Sequence, residues 1–346
     1  MTMRGSAQSK MVVLVTDAWH PQVNGVVTVY DHIIPILEKR GYAVSVIHPG
    51  LFRTISIPFY REIQLAIFPR RQMRKQLLKM KPDAVHIAVA GPLGIAARAV
   101  CRAHGISFST AYHTHFQKYG GMYLKFFLPL INAYLRWFHN NANALTTVST
   151  ESLKTELASY GFKNLVLWPF GVDTEMFKRN QAPRLPSLQK PVFTFFSRLA
   201  PEKSPEQFLN LPLLGTKLVI GDGPDRARLE KLYGSSATFV GYKKGQDLVD
   251  WLSMSDVLVF PSRTETFGLV VLEALACGIP VAAHDVMGPR DIITPGVDGY
   301  LSEDLADAAK KCLTLSRNDC RKKALEYSWE RSARVFTECL GFYETT

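Results

Sequence analysis

The sequence predicts an α/β protein of two domains, each a parallel sheet covered by helices. Three observations predict it. Short apolar runs alternate with helix-period segments in both halves of the chain. The 346 residues suffice for two domains of ordinary size, with 47% hydrophobic and 21% charged residues typical of a globular protein. A polar, proline-containing stretch from Lys178 to Lys190 separates the halves and reads as a linker. The predicted boundaries are therefore 1–177, 178–190 and 191–328.

In the first half, Met11–Val15 is the first strand, followed by the loop Thr16 to Asn24 and a helix from about Val26 to Arg40. Gly41-Tyr42 turns the chain into a strand at Ala43–Ile47, and Asp83–Ile87, Ser107–Ala111, Ala144–Val148 and Leu165–Leu167 supply further strands. The second half restarts the pattern at Pro191–Phe196, Lys217–Ile220, Thr238–Val240 and Val257–Phe260. This is the pattern of two facing Rossmann-like domains with a cleft between them.

The segment after the last of these strands carries the densest chemistry. Pro261 ends the strand, Ser262 to Phe267 form a polar loop, and Gly268 opens a helix in which Leu269, Leu272, Leu275 and Ala276 fall on helical spacing. Gly278 and Pro280 stop it before Val281–Ala283 begins another strand. Such a helix starts at the carboxyl edge of a sheet, where its amides and dipole favour an anionic group such as a diphosphate. Glu265 lies ahead of that terminus and Glu273 stands one to two turns inside. Two carboxylates beside a phosphate cradle accept hydrogen bonds from sugar and ribose hydroxyls. An ordinary helix with an acidic N-terminus and one solvated glutamate fits the same letters.

Charge points to acidic partners: 41 Lys and Arg against 30 Asp and Glu give a formal +11. Between Leu51 and Lys81 stand Arg53, Arg61, Arg70, Arg71, Arg74, Lys75, Lys79 and Lys81 against a single acid, Glu62, interleaved with IPFYREIQLAIFP. That mixture suits an anionic bilayer surface. The stretch Met122 to Phe138, with Phe126, Phe127 and Trp137 and a break at Pro129, reads either as a membrane-facing or acceptor-binding helix or as core of the N-terminal domain. The N-terminal MTMRGSAQSK has no signal-peptide apolar region and no apolar stretch is long enough to span a bilayer, so a cytoplasmic protein is expected. Five cysteines without a C-x-x-C pair fit neither a zinc site nor a disulfide framework. A dinucleotide-dependent dehydrogenase is disfavoured, because Thr16 to Gly25 has one glycine and Val46-Ile47-His48 has no acid. No nucleic-acid motif accompanies the positive charge.

The segment Thr264-ETFGLVVLEALACGIP-Val281 resembles the Glu-x7-Glu donor motif of retaining glycosyltransferases, especially glycosyltransferase family 4. The resemblance covers the chain from Met11 to the C-terminus. It is strongest to the branch of diacylglycerol glucosyltransferases, sulfoquinovosyl-diacylglycerol synthase and lipid mannosyltransferases. It implies the GT-B arrangement, with a last helix, about 329–343, packing back on the first domain. In Thr16-DAWHPQVNG-Val26, Gly25 matches the glycine whose amide approaches the donor diphosphate. In Ser197-RLAPEK-Ser204, Arg198 and Lys203 match the pair that neutralises it, so they stabilise the leaving nucleotide. Gly221 and Gly223 resemble the glycine-rich loop beside the base, and Thr266, Phe267, Gly268 and Leu269 fall within the donor motif. In Ala111-YHTHFQ-Lys118, His113 matches a histidine proposed to interact with the transferred sugar, flanked by Tyr112 and His115, which are expected as acceptor or membrane contacts. Arg290, in Met287-GPRDI-Ile293, is placed near the donor as a contact to phosphate or a uronate carboxylate.

The resemblance further implies transfer from a nucleoside-diphosphate sugar to a lipid hydroxyl with retention, the departing diphosphate assisting deprotonation of the acceptor. No D-x-D motif is present, and cationic side chains are expected to replace a divalent ion, so no metal or other cofactor is expected. UDP-glucose, UDP-glucuronate, UDP-galactose and GDP-mannose all remain candidate donors. The stretch between Gly50 and Lys81 is short for the family. The expected partners are the nucleotide sugar, a lipid acceptor and the anionic inner face of the cytoplasmic membrane, with peripheral attachment and no nucleic acid.

Overall fold

The structure is a computed structural model that describes residues 9–22, 24–57, 60–113, 128–140, 145–180 and 188–341. The chain divides into two compact units. The first runs to Pro169 and includes the residues from Glu330 onward, and the second is Phe170–Trp329.

Unit 1 contains strands β1 (Met11–Val15), β2 (Ala43–Ile47), β3 (Thr54–Ile57), β4 (Tyr60–Ala66), β5 (Ala84–Ile87), β6 (Phe108–Tyr112), β7 (Thr146–Val148) and β8 (Leu165–Leu167). Six of these form a parallel sheet in the order β2-β1-β5-β6-β7-β8, while β3 and β4 pair as an antiparallel ribbon. Val13, Val15, Val85 and Ile87 from the central strands pack with Leu93, Ala97 and Cys101 of the helix Pro92–Ala103. Strands buried on both faces carry little alternation, which is why they read as continuous apolar runs. Chain direction changes sides between β1 and β5, so the loops after these strands diverge and leave a crevice at the carboxyl edge.

Unit 2 contains β9 (Val192–Phe196), β10 (Thr216–Ile220), β11 (Thr238–Gly241), β12 (Val257–Phe260), β13 (Val281–Ala283) and β14 (Gly299–Leu301). They form a parallel sheet ordered β11-β10-β9-β12-β13-β14. Its core joins Phe193, Phe195, Val257 and Val259 to Phe208, Leu229 and Ala308. The switch point lies between β9 and β12.

Most expected elements are present, with several differences. The strand expected at 107–111 runs one residue further and takes Tyr112 into the sheet. The β3/β4 ribbon lies where only a basic stretch was expected. Residues 170–177 belong to unit 2, because the Val172 amide donates to the Tyr327 carbonyl at 3.1 Å and the Phe170 ring meets Phe267 at 4.9 Å. The last helix, Trp329–Cys339, contributes Phe336 to unit 1, where its ring lies 4.8 Å from that of Trp168. Pro129 occupies the second position of the helix Leu128–His139, and residues 122–127 of the same stretch lie outside the described residues.

Candidate active site

In unit 2 the site is built from the two loops that leave the switch point. The turn after β9 is held against the loop after β10: the Ser197 amide donates to Ile220 O at 3.2 Å and the Leu199 amide to Asp222 O at 2.8 Å. This close approach requires glycine. Gly221 (φ +142) and Gly223 (φ +159) sit where a Cβ would lie 1.9 Å from Ser197 O and 2.3 Å from Leu199 O. The fold itself therefore accounts for both glycines, whatever they present to a nucleotide.

The chain then forms the short helical turn Pro201–Lys203. Lys203 Nζ reaches Glu265 Oε2, in the loop after β12, at 2.6 Å. Both side chains are shielded, with 19% and 18% of their surface exposed. The pairing places a cation and a carboxylate side by side at the sheet's switch point. Arg198 is exposed in the segment between β9 and that turn.

Gly268 (φ +96) caps the helix Leu269–Ala276 without a side-chain hydrogen bond, which leaves first-turn amides at the carboxyl edge of β12. Thr266 and Leu269 are half-buried at this turn, whereas the Phe267 side chain is buried against Phe170 and Tyr327 and anchors the loop. Glu273 stands in the second turn. It is half-buried, and desolvation raises its carboxyl to about 7. Its carboxylate makes no hydrogen bond or ion pair among the described residues, while its carbonyl accepts from the Cys277 amide at 3.2 Å. Arg290 is exposed and clasps Asp285, with Nε 2.6 Å from Oδ1 and Nη2 donating to the Asp285 carbonyl at 2.7 Å. A phosphate or uronate would have to compete with that carboxylate.

In unit 1, Asp17 fixes the loop after β1 by accepting from the amides of Leu93 (3.0 Å) and Gly94 (3.3 Å) at the start of the helix Pro92–Ala103. Burial nevertheless raises its carboxyl to about 6. Asn24 caps the helix Gly25–Lys39 by accepting from the Val27 amide at 3.1 Å. Gly25 is exposed, and a Cβ there would meet nothing within 4 Å. Among the described residues nothing in unit 1 demands that glycine.

His113 follows β6, and its Nε2 lies 3.0 Å from the Tyr30 hydroxyl. Burial lowers its imidazole to about 4, so it is neutral near pH 7. A small cavity beside it is lined by Ala88, Val89, Ala90, Tyr112 and His139. The buried Tyr112 packs on His139 and Phe162 and lies in the core, away from the open surface.

The surface candidates divide. Arg70, Arg71, Arg74 and Lys75 are exposed on the helix Arg70–Met80, and Trp137 is 51% exposed beneath the Arg98 guanidinium, 4.2 Å from the ring centroid. His115, Phe126 and Phe127 lie outside the described residues. Sequence reasoning missed Tyr30 and His86. The available signal was a histidine inside the apolar run Ala84–Ile87, since a buried imidazole requires partners.

Two Rossmann-like units in one chain have the architecture of the GT-B class of glycosyltransferases, and the comparisons with known proteins assign the chain to that class. A family model described as Glycosyltransferase Family 4 matches residues 23–176, and one described as Glycosyl transferases group 1 matches residues 176–328. A GDP-mannose-dependent alpha-mannosyltransferase of Mycobacterium tuberculosis (strain CDC 1551 / Oshkosh) is 30% identical over 96% of this chain and 96% of its own. A GDP-mannose-dependent alpha-(1-6)-phosphatidylinositol dimannoside mannosyltransferase of Mycobacterium tuberculosis (strain ATCC 25177 / H37Ra) is 28% identical over 95% and 96%. Among solved structures, sucrose-phosphate synthase from Thermosynechococcus elongatus shares the fold, with a TM-score of 0.76 at 20% identity, over 95% of this chain and 98% of that one. The chain belongs to glycosyltransferase family 4.

Proposed function

We propose that this enzyme transfers a hexose, with GDP-mannose the first candidate donor, to a hydroxyl of a membrane lipid, with retention of configuration and without a metal ion. The observation that carries the reading is the Lys203–Glu265 pair at the switch point of unit 2. Lys203, with Arg198 in the same loop after β9, supplies positive charge for a departing diphosphate, while Glu265 and Glu273 supply acceptors for sugar and ribose hydroxyls. Charge stabilisation by fixed cations takes the place of a divalent ion. No protein nucleophile is required, because the diphosphate takes the acceptor proton on the face from which it leaves.

The names of the two mycobacterial relatives support GDP-mannose as donor and a phosphatidylinositol mannoside as acceptor, with diacylglycerol a second lipid to test. Peripheral attachment to the cytoplasmic face of a membrane is supported by the exposed cations of the helix Arg70–Met80. Its first turn carries no acid, and Phe68, 93% exposed, precedes it. Among the described residues no helix is long and apolar enough to cross a membrane.

The test is incubation of the purified enzyme with each labelled nucleotide sugar and lipid micelles in EDTA, followed by extraction of labelled lipid. Labelled α-glycolipid in EDTA supports the reading. Loss of transfer on chelation, restored by Mn2+ or Mg2+, would contradict the metal-free mechanism, and transfer only to a soluble glycan would contradict the lipid acceptor.

A further inference from the structure

The positive charge of this chain is concentrated in one part of unit 1. Residues 63–150 hold 11 Lys and Arg against the single acid Asp83, which leaves 30 against 29 in the rest of the sequence. The stretch contributes the helices Arg70–Met80, Pro92–Ala103 and Leu128–His139, and none of the three contains an Asp or a Glu. All three cover the same face of the sheet. Met73 and Leu77 of the first, Leu93 and Ala97 of the second and Phe138 of the third join Val85 and Ile87 of β5 in a single core cluster. Side chains alternate along a strand, so His86, between Val85 and Ile87, points to the opposite face. There it meets Tyr30 of the helix Gly25–Lys39 at 2.8 Å and the Phe336 ring of the helix Trp329–Cys339 at 4.8 Å. Those two helices carry three cations against four acids. One face of the sheet is therefore covered by purely cationic helices and the other by helices of nearly balanced charge.

The outer side of the cationic layer also carries large apolar side chains. On the helix Leu128–His139, Leu135 and Phe138 are buried toward the sheet, while Leu130, 68% exposed, and Trp137 stand on the solvent side. Leu78 and Ile95 are exposed on the other two helices. Trp137 is held in place from below. Its ring stacks on the buried guanidinium of Arg98, which also donates to Trp137 O at 2.8 Å and to Phe138 O at 3.0 Å, so one cation closes the end of that helix and backs the ring. Cations alone would suit any polyanion. Apolar and aromatic side chains among them suit the boundary of a bilayer, where Trp and Leu enter the headgroup region and the long stems of Lys and Arg reach phosphates.

We infer that the outer side of this three-helix layer is one docking surface for an anionic lipid bilayer, with Leu130 and Trp137 entering the headgroup region beside the cations of the helix Arg70–Met80. The inference deepens the membrane reading above and rests on it. Attachment runs through a whole face of unit 1 and not through one helix, and the balanced face that holds Tyr30 and Phe336 is turned away from the lipid.

Trp137 is the exposed one of the five tryptophans, which gives a direct reading. The purified enzyme is mixed with vesicles of phosphatidylglycerol and phosphatidylcholine whose acyl chains are brominated near the headgroup, and tryptophan fluorescence is recorded. The expected result is quenching that is absent with pure phosphatidylcholine vesicles, is lost at high salt, and disappears in Trp137→Phe although that variant still sediments with the vesicles. Leu130→Asp, at a solvent-facing position, is expected to weaken vesicle binding about tenfold. Quenching that survives Trp137→Phe would overturn the inference. So would vesicle binding that ignores Leu130→Asp yet is abolished by charge reversal at Arg71, Arg74 and Lys75, an outcome that leaves attachment by one helix. Salt-sensitive binding to a mixed-sequence oligonucleotide, with none to vesicles, would overturn the bilayer as the partner. If the quenching is found but no donor yields a glycolipid, the docking surface stands and the functional proposal fails.

Discussion

Lys203 Nζ and Glu265 Oε2 lie 2.6 Å apart although 62 residues separate them in the chain. The strand order explains the meeting. β9 and β12 are neighbours at the switch point of unit 2, so the loops leaving their carboxyl ends start side by side at the rim of one crevice. Shielding strengthens the pair and makes either partner costly to leave alone.

Lys203→Met and Glu265→Gln are each expected to lower kcat about 100-fold. Lys203→Met should also destabilise unit 2, because a shielded carboxylate loses its counter-charge. The double variant is expected to be more stable than the sum of the single effects by about 1 kcal/mol. Urea unfolding of the four proteins measures that coupling, and strict additivity would show that the pair is not formed.

Glu273 predicts a pH signature. Its carboxyl is raised to about 7 in the folded enzyme from an ordinary 4.5. The folded state therefore binds more protons than the unfolded one between these values, and the stability linked to this group is present below pH 4.5 and lost as pH rises toward 7. Glu273→Gln has no charge to desolvate, so its melting temperature should exceed that of the unaltered enzyme at pH 8 and match it near pH 4.5. Donor affinity runs the other way: it should rise with pH through about 7 as Glu273 ionises, and the variant should lack that rise. Calorimetry and donor titration read the two effects separately.

Three glycines that looked alike in the sequence are expected to behave differently. Gly221→Ala and Gly223→Ala force a Cβ onto a carbonyl and should cost more than about 2 kcal/mol of stability. Gly25→Ala meets open space at a helix start and should leave the melting temperature unchanged or slightly raised. Loss of donor binding in a fully stable Gly25→Ala enzyme is the expected mark of a ligand approaching that backbone. Unchanged donor affinity would remove Gly25 from the site.

The basic helix predicts salt-sensitive membrane binding. Charge reversal at Arg71, Arg74 and Lys75 should abolish sedimentation with anionic vesicles, each cation contributing about 1 kcal/mol. Phe68→Asp should weaken binding at high salt, where the apolar contact dominates. Equal binding of the unaltered enzyme to neutral and anionic vesicles would contradict the surface assignment.

Much of this was legible because buried parallel strands and their loops are local signals. Val257–Phe260, Pro261, Gly268 and Gly278 mark a strand, a loop and a capped helix without reference to the rest of the chain. Residues whose roles depend on distant partners were less legible. Tyr112 looks like a surface aromatic beside His113, yet a strand one residue longer turns it into core. Arg290 reads as a free cation until Asp285 is found against it. The β3/β4 ribbon was hidden by its basic and proline-containing letters, and β14 by its three-residue length. Tyr30 and His86 became visible only once strand order brought helix, strand and loop together around His113.

The most direct test of the central claim is mass spectrometry of lipids after incubating the enzyme with GDP-mannose and phosphatidylinositol mannoside or diacylglycerol in anionic micelles, beside Glu265→Gln. The account predicts a lipid heavier by one hexose residue, with equimolar release of GDP, that is absent with the variant. An unaltered lipid pool with every candidate donor, or a glycolipid formed equally well by Glu265→Gln, would contradict it.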